Sequence, residues 1–228
     1  MDFREAANKI PILREAGSAS LAYLSARAHR KHVRKGAHLY WEGAPARDVY
    51  FLLEGAAAPY KISGAQDKRV IFIYGPGALL NEEFLDGRSA SVNCELLSDS
   101  QILCFERKHF LYACEMDFAL AKSVMDAMAL KIRRLYRQIK NTSNAVRGDR
   151  RIAAKLWKLS RDIGVPCGEG TEIDVALSIT YLADLLGLTR ETVSRQLKQL
   201  CEEGLVIVDK NRFIIPDREA LRKYFHRA

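Results

Sequence analysis

Short β-favouring runs alternate with turn signals from about Lys31 to Phe105, where Gly36, Gly43, Gly55, Gly64, Gly75-Pro76-Gly77, Asp86-Gly87 and Ser98-Asp99 punctuate the chain. A turn every 8 to 12 residues or so predicts an all-β roll or jelly-roll barrel. Residues 49–53, 70–74 and 101–105 are expected as strands, and residues 3–28 read as helical, packed against the outside of the barrel.

The period changes after Glu106. Phe118, Ala121, Met125, Met128, Ile132, Leu135, Ile139 and Thr142 recur in alternating steps of three and four, while Lys131, Arg133, Arg134, Arg137 and Lys140 fall outside that seam. A heptad seam of about three repeats predicts a long helix pairing in parallel with a second copy, and a core stripe of a monomer is the alternative. The cluster Asn141-Thr142-Ser143-Asn144 and Gly148 weaken helix continuity and mark a hinge. These breaks suggest a β-roll domain over residues 1–116, a helix and hinge over 117–145, and a third part over 146–228.

The third part has its own pattern. A helix is expected over residues 149–162, then a loop over 166–171, then ITYLADLLGLTRETVSRQLKQL over 179–200. That stretch suits two short crossing helices, with Gly187 at the turn and Leu182, Ala183, Leu186, Leu188 and Val193 as inner contacts. Thr189 caps the second helix, whose Val193, Leu197 and Leu200 share one narrow sector. Thr189, Arg190, Glu191, Ser194, Arg195 and Lys198 occupy the polar side. Arg pairs bidentately with guanine and Glu accepts from the cytosine amine, so this face carries major-groove chemistry; an ordinary helical hairpin with a solvated face is the competing reading. Residues 205–208 and 212–215 flank Asp209-Lys210-Asn211 as a small hairpin, the wing of a winged helix-turn-helix, and Asp217 caps a last short helix.

Charge distribution agrees with a nucleic-acid partner. Residues 1–116 carry 15 Lys and Arg against 14 Asp and Glu, residues 117–228 carry 21 against 14, and the excess of the formal net charge of +8 therefore sits beside the predicted reader. No apolar run approaches the roughly 20 residues that span a bilayer, and the first ten residues lack a signal-peptide core, so a cytoplasmic protein without membrane association is expected. Cys94, Cys104, Cys114, Cys167 and Cys201 form no CxxC pair and no metal-ligand spacing, and an odd, scattered set in a reducing cytosol favours buried thiols over disulfides.

Taken together, these residues resemble the Crp/Fnr superfamily of bacterial regulators. Residues 34–62 look like the family's first barrel strands, 75–92 its pocket segment and 188–197 its recognition helix. The resemblance implies an α+β chain with an N-terminal cyclic-nucleotide-binding-like β-roll (jelly-roll) domain, a long dimerisation helix and a C-terminal winged helix-turn-helix domain. It also implies a homodimer acting on a near-palindromic site in double-stranded DNA, and contact with RNA polymerase if the protein is an activator. By position, Glu191 and Arg195 match the pair that reads a G·C base pair, and Arg190 and Ser194 match variable readers. Gln196 replaces an apolar residue of the pattern.

The pocket segment departs further from the pattern. Arg88 and Ser89 match the phosphate-binding pair of cyclic-nucleotide binders, but Asn81 stands for the Gly before Glu82, the stretch from Glu82 to Arg88 is short, and the adenine-contacting hydroxyls would fall at Gln138 and Ile139. Cyclic AMP is therefore not expected. Nor is an iron–sulfur cluster, since no cysteine precedes Cys94, nor haem, because Asn81 and Glu83 occupy the haem-ligand positions although His29, His32, His38 and His109 exist. The expectation is an unknown small-molecule effector, in one form an anion, bound by Lys61, Tyr74, Asn81, Glu82, Arg88 and Ser89 with Met128 and Leu135 of the long helix. Arg88 in a structural ion pair with Glu82 or Glu83 is the alternative. A DNA-binding or protein-interaction module that needs no effector is a further reading. A cupin-like enzyme is disfavoured, because no His-x-His pair is present, and no enzymatic activity is expected.

Overall fold

The computed structural model describes residues 2–64, 67–142 and 148–226. The chain divides into two units, residues 1–59 with 74–136 and residues 60–73 with 137–228.

In the first unit three short helices replace a continuous one: α1 (Phe3–Lys9), α2 (Pro11–Arg14) and α3 (Ser18–Ser25). Asp2 and Glu5 form a reciprocal capping box at α1 (2.7 and 2.8 Å), and Pro11, which has no N–H to donate, starts a new helix after the extended Ile10. The strands β1 (His29–Val33), β2 (His38–Tyr40), β3 (Asp48–Glu54) and β4 (Ala57–Ser63) follow. After β5 (Asp67–Val70) come a 3₁₀ turn (Glu82–Asp86), β6 (Asn93–Leu96) and β7 (Ser100–Glu106), then α4 (Arg107–Met116) and the 25-residue α5 (Phe118–Thr142).

Two antiparallel sheets, β1-β7-β3 and β2-β6-β4-β5, make the expected roll. Residues 49–53 of β3 are all buried because both faces of the strand are covered. Val49, Phe51 and Leu53 point to a core shared with Ala6, Ile10, Leu13, Leu24, Phe105, Phe110, Leu120 and Val124, so the N-terminal helices, α4 and the start of α5 cover the outside of the roll. Tyr50 and Leu52 alternate to the other face. The strand expected over 70–74 is interrupted. Val70 pairs with Tyr60 and Tyr74 with Ala57, a one-residue change of register at Pro59, whose ring nitrogen cannot join a ladder.

α5 carries two stripes. Leu120 and Val124 are buried, whereas the heptad seam faces outward, with Ile132 47% and Ile139 69% exposed. The seam is therefore not the protomer's core stripe. Much of the expected hinge, residues 143–147, lies outside the described residues, as does the side chain of Thr142.

The second unit holds the β4–β5 hairpin end, residues 60–73, and the C-terminal elements α6 (Gly148–Asp162), β8 (Gly164–Cys167), β9 (Gly170–Ile173), α7 (Ile179–Leu186), α8 (Arg190–Glu202), β10 (Ile207–Asp209), β11 (Arg212–Ile215) and α9 (Arg218–His226). The loop expected over 166–171 is instead a second hairpin. β8 and β9 join β10 and β11 in a four-stranded sheet of order β10-β11-β9-β8. Gly170, at φ +136°, has the Ile215 carbonyl where a Cβ would stand, and the Arg212 guanidinium grips Glu172 with two hydrogen bonds of 2.7 and 2.6 Å.

Candidate nucleic-acid interface and effector pocket

The two-helix motif forms where expected. The Ser178 hydroxyl accepts from the Tyr181 N–H (3.0 Å) to start α7, and Gly187, at φ 60° and ψ 49°, ends it in the left-handed conformation with its N–H bonded to the Ala183 carbonyl. Thr189 accepts from the Thr192 N–H (3.2 Å) to start α8. Leu182, Ala183, Leu186, Val193, Leu197 and Leu200 are buried, and Leu188 is half-buried. The inner face is thus as anticipated, with Leu185 added to it.

All six polar positions, Thr189, Arg190, Glu191, Ser194, Arg195 and Lys198, are exposed. Lys198 leans to Glu202 at 3.8 Å, an exposed i,i+4 pair that a phosphate can displace. Gln196, at the unusual position, is half-buried beside Gly148, in space that a Cβ on Gly148 would fill. Leu197 still anchors the helix. In the wing, Lys210 takes φ 56° at the hairpin tip, Asp209 pairs with Arg212, and the Asp217 carboxylate caps α9 through the Glu219 and Ala220 N–H groups (2.8 and 3.1 Å).

The expected effector residues divide into groups. Tyr74 is buried and Glu82 half-buried, and they meet at Lys131 of α5. The Lys131 ammonium, its side chain 12% exposed, is bound to the Glu82 carboxylate, donates to the Leu79 carbonyl (2.7 Å) and lies 4.6 Å from the Tyr74 ring centre. Burial lowers its pKa, with Glu82 opposing that shift. Burial also raises the Tyr74 and Tyr40 phenols and pushes the nearby Cys94 thiol to about 12, which leaves that thiol protonated and inert. Lys131 had only been noted as lying outside the seam. Its place in line with the inward stripe of Leu120, Val124 and Ala127, in steps of four, three and four, was the available signal.

The other residues do not join this cluster. Asn81 is structural: it is 1% exposed, accepts from the Tyr50 N–H (2.8 Å) and donates to the Asp48 carbonyl (2.8 Å). Arg88 and Ser89 are on the surface. The Arg88 side chain is 88% exposed and approaches Asp86 at 3.7 Å; it pairs with neither Glu82, taken by Lys131, nor Glu83, which binds the Ser91 hydroxyl. Gly87, at φ +83°, turns the chain there, and the Arg88 N–H closes a local turn on Asp86 (2.8 Å). Lys61 is exposed on β4, and Met128 and Leu135 lie on the outward seam of α5.

Comparison with known proteins covers both parts. The family model of the cyclic nucleotide-binding domain matches residues 30–117, and that of the Crp-like helix-turn-helix domain matches residues 150–224. The chain is 24% identical over 190 residues to the global nitrogen regulator of Nostoc sp. (82% of this chain, 85% of that one). It is 25% identical over 191 residues to the nitrogen fixation regulation protein FixK of Azorhizobium caulinodans (83% and 76%). In fold it is similar to FixK2 from Bradyrhizobium japonicum, with a TM-score of 0.78 at 24% identity, covering 88% of this chain and 98% of that one. No helix among the described residues is long and apolar enough to cross a membrane.

Proposed function

Because the chain belongs to the Crp/Fnr superfamily of DNA-binding transcription regulators with an effector-binding domain, we propose that it acts as a homodimer, responds to a small molecule, and places one α8 per protomer in successive major grooves of a near-palindromic site. The observation that carries this reading is the exposed face Thr189, Arg190, Glu191, Ser194, Arg195 and Lys198 on a helix whose opposite side is locked into the core. Arg195 and Glu191 read a G·C pair, Arg190 and Ser194 tune neighbouring bases, and Lys198 holds phosphate. The outward apolar seam of α5 supplies the dimer contact, since a heptad stripe buries its apolar surface when a second helix covers it. Functional parts over residues 1–116, 117–145 and 146–228 accord with this division of labour. The protein works in the cytoplasm, carries no enzymatic activity, and meets RNA polymerase where it activates.

Selection of bound sequences from random duplex DNA tests this reading. The expected product is a two-fold symmetric site with half-sites about one helical turn, roughly 34 Å, apart. Recovery of a single unpaired half-site, or of no consensus, counts against it.

The Lys131–Glu82 pair favours a second reading, in which DNA binding needs no effector, because the protein's own ammonium sits where Tyr74 and Glu82 would meet a ligand. Protein unfolded, dialysed free of small molecules and refolded separates the two. Operator affinity that is unchanged, and unaltered by adding back the small molecules removed by dialysis, belongs to the second reading.

A further inference from the structure

Within the second unit the first turn of α6 meets two other helices. Asp149 is 4% exposed, and its carboxylate accepts from the Tyr224 hydroxyl of α9 at 2.7 Å. The Gln196 carboxamide of α8 fills the space beside Gly148. Its carbonyl oxygen, at the position where an apolar residue is usual, is buried and has no hydrogen-bond partner among the described residues. That oxygen fastens nothing, whereas the Tyr224 hydroxyl makes a short bond to a charged acceptor.

Burying a carboxylate is costly. An exposed aspartate in the first turn would complement the helix dipole equally well, so what burial of Asp149 against α9 adds is a fixed position. α9 itself is held by other contacts. Leu221, one turn before Tyr224, is fully buried, and Phe225 meets Trp157 in the middle of α6 edge to face at 5.9 Å. The first turn of α6 is intrinsically the weaker part, because its N–H groups have no intrahelical acceptor and it opens with Gly148, a poor helix former.

We infer that Tyr224, acting through Asp149, determines which half-site spacing the protein accepts; the inference rests on the dimeric DNA-binding reading above. In chain order α6 is the first helix after α5, so the length of chain that links the dimer helix to α8 depends on where α6 begins. Fraying of residues 148–151 exchanges a rise of about 1.5 Å per residue for up to about 3.5 Å, which lengthens the link by as much as about 8 Å. One base pair is about 3.4 Å of duplex. An unfastened α6 therefore reaches half-sites displaced by one or two base pairs, and a fastened one does not. Tyr224 is a positioning residue: it fixes the starting point of α6 and needs no contact with DNA.

Two measurements on the full-length protein test this. Hydrogen exchange without DNA reads the fastening, because the N–H groups of Ile152, Ala153 and Ala154 bond to the carbonyls of the first turn, four residues back. Tyr224→Phe should speed their exchange at least about tenfold beyond any change in the sheet amides of β9 and β11, while Asp149→Asn, which still accepts from the hydroxyl, should not. Operator duplexes whose central spacer is one base pair longer or shorter read the consequence. The parent should bind them about a hundredfold more weakly than the selected operator, and Tyr224→Phe only about tenfold more weakly, with base preferences unchanged and Asp149→Asn behaving as the parent. Exchange in α6 that moves only in step with the sheet overturns the inference. So does a Tyr224→Phe protein that rejects shifted half-sites as strongly as a discriminating parent, an outcome that leaves the DNA-binding reading standing. Failure of the parent to yield any two-fold operator overturns that reading and the spacing inference with it.

Discussion

Lys131 and Glu82 form an ion pair that joins the long helix α5 to the 3₁₀ turn of the pocket segment. Both side chains are withdrawn from solvent, and the ammonium also holds the Leu79 carbonyl, so each charge depends on the other for its stability in the fold. Lys131→Met strands the Glu82 carboxylate and should destabilise the protein by about 3 kcal/mol, whereas Lys131→Met with Glu82→Gln should recover most of that loss. Chemical denaturation of the two variants and the parent measures both quantities. A double variant no more stable than the single one refutes the coupling.

Arg195 is exposed on α8, one turn from Glu191. Arg195→Ala should cost about 1–3 kcal/mol per half-site and relax selectivity at one guanine, with the protein's Tm unaltered. Competition binding against operators substituted at each position reads the result. Identical base preferences in the variant and the parent would place base reading elsewhere.

Ile132 and Leu135 lie on the outward seam of α5, 47% and 39% exposed in the protomer. Lysine at either position sets like charges face to face across a two-fold axis, so Ile132→Lys and Leu135→Lys should be monomeric and bind the operator far more weakly through loss of bivalence. Light scattering gives the mass. A tight dimer in both variants would move the interface off this helix.

Asp117 caps α5 through the Ala119 and Leu120 N–H groups (3.0 and 3.2 Å) and accepts from the Gly17 N–H (2.7 Å), a bond that reaches back to the N-terminal helices. The Gly17 bond, ahead of the capping bonds, holds the carboxyl below its usual value. Its contribution is therefore complete above the ordinary carboxylate range and is lost as pH falls through the lowered folded-state value. Asp117→Ala should cost about 1–2 kcal/mol at neutral pH and flatten the acid limb of the Tm against pH profile. Parallel acid limbs for variant and parent would show that the cap contributes nothing.

Periodicity alone fixed the order of parts in this protein. Turn spacing marked the roll, the three-four seam marked α5, and the apolar sector of Val193, Leu197 and Leu200 oriented the polar face of α8, because each of these signals is set by residues close in the chain. Gly187 and Thr189 declared the turn and the cap for the same reason. What depended on distant partners was not legible. The β8–β9 hairpin sets Glu172 against Arg212, forty residues later in the chain, and the strand through residue 70 shifts register beside Pro59. The pocket shows the limit most clearly: Arg88 and Ser89 match a motif by position, yet Gly87 turns Arg88 to solvent while Lys131, nearly fifty residues from Glu82, takes the interior charge. A sequence specifies which side chains can carry charge, but only the packing of helix, turn and strand decides which of them is desolvated, and desolvation is what forces a charge to find its partner.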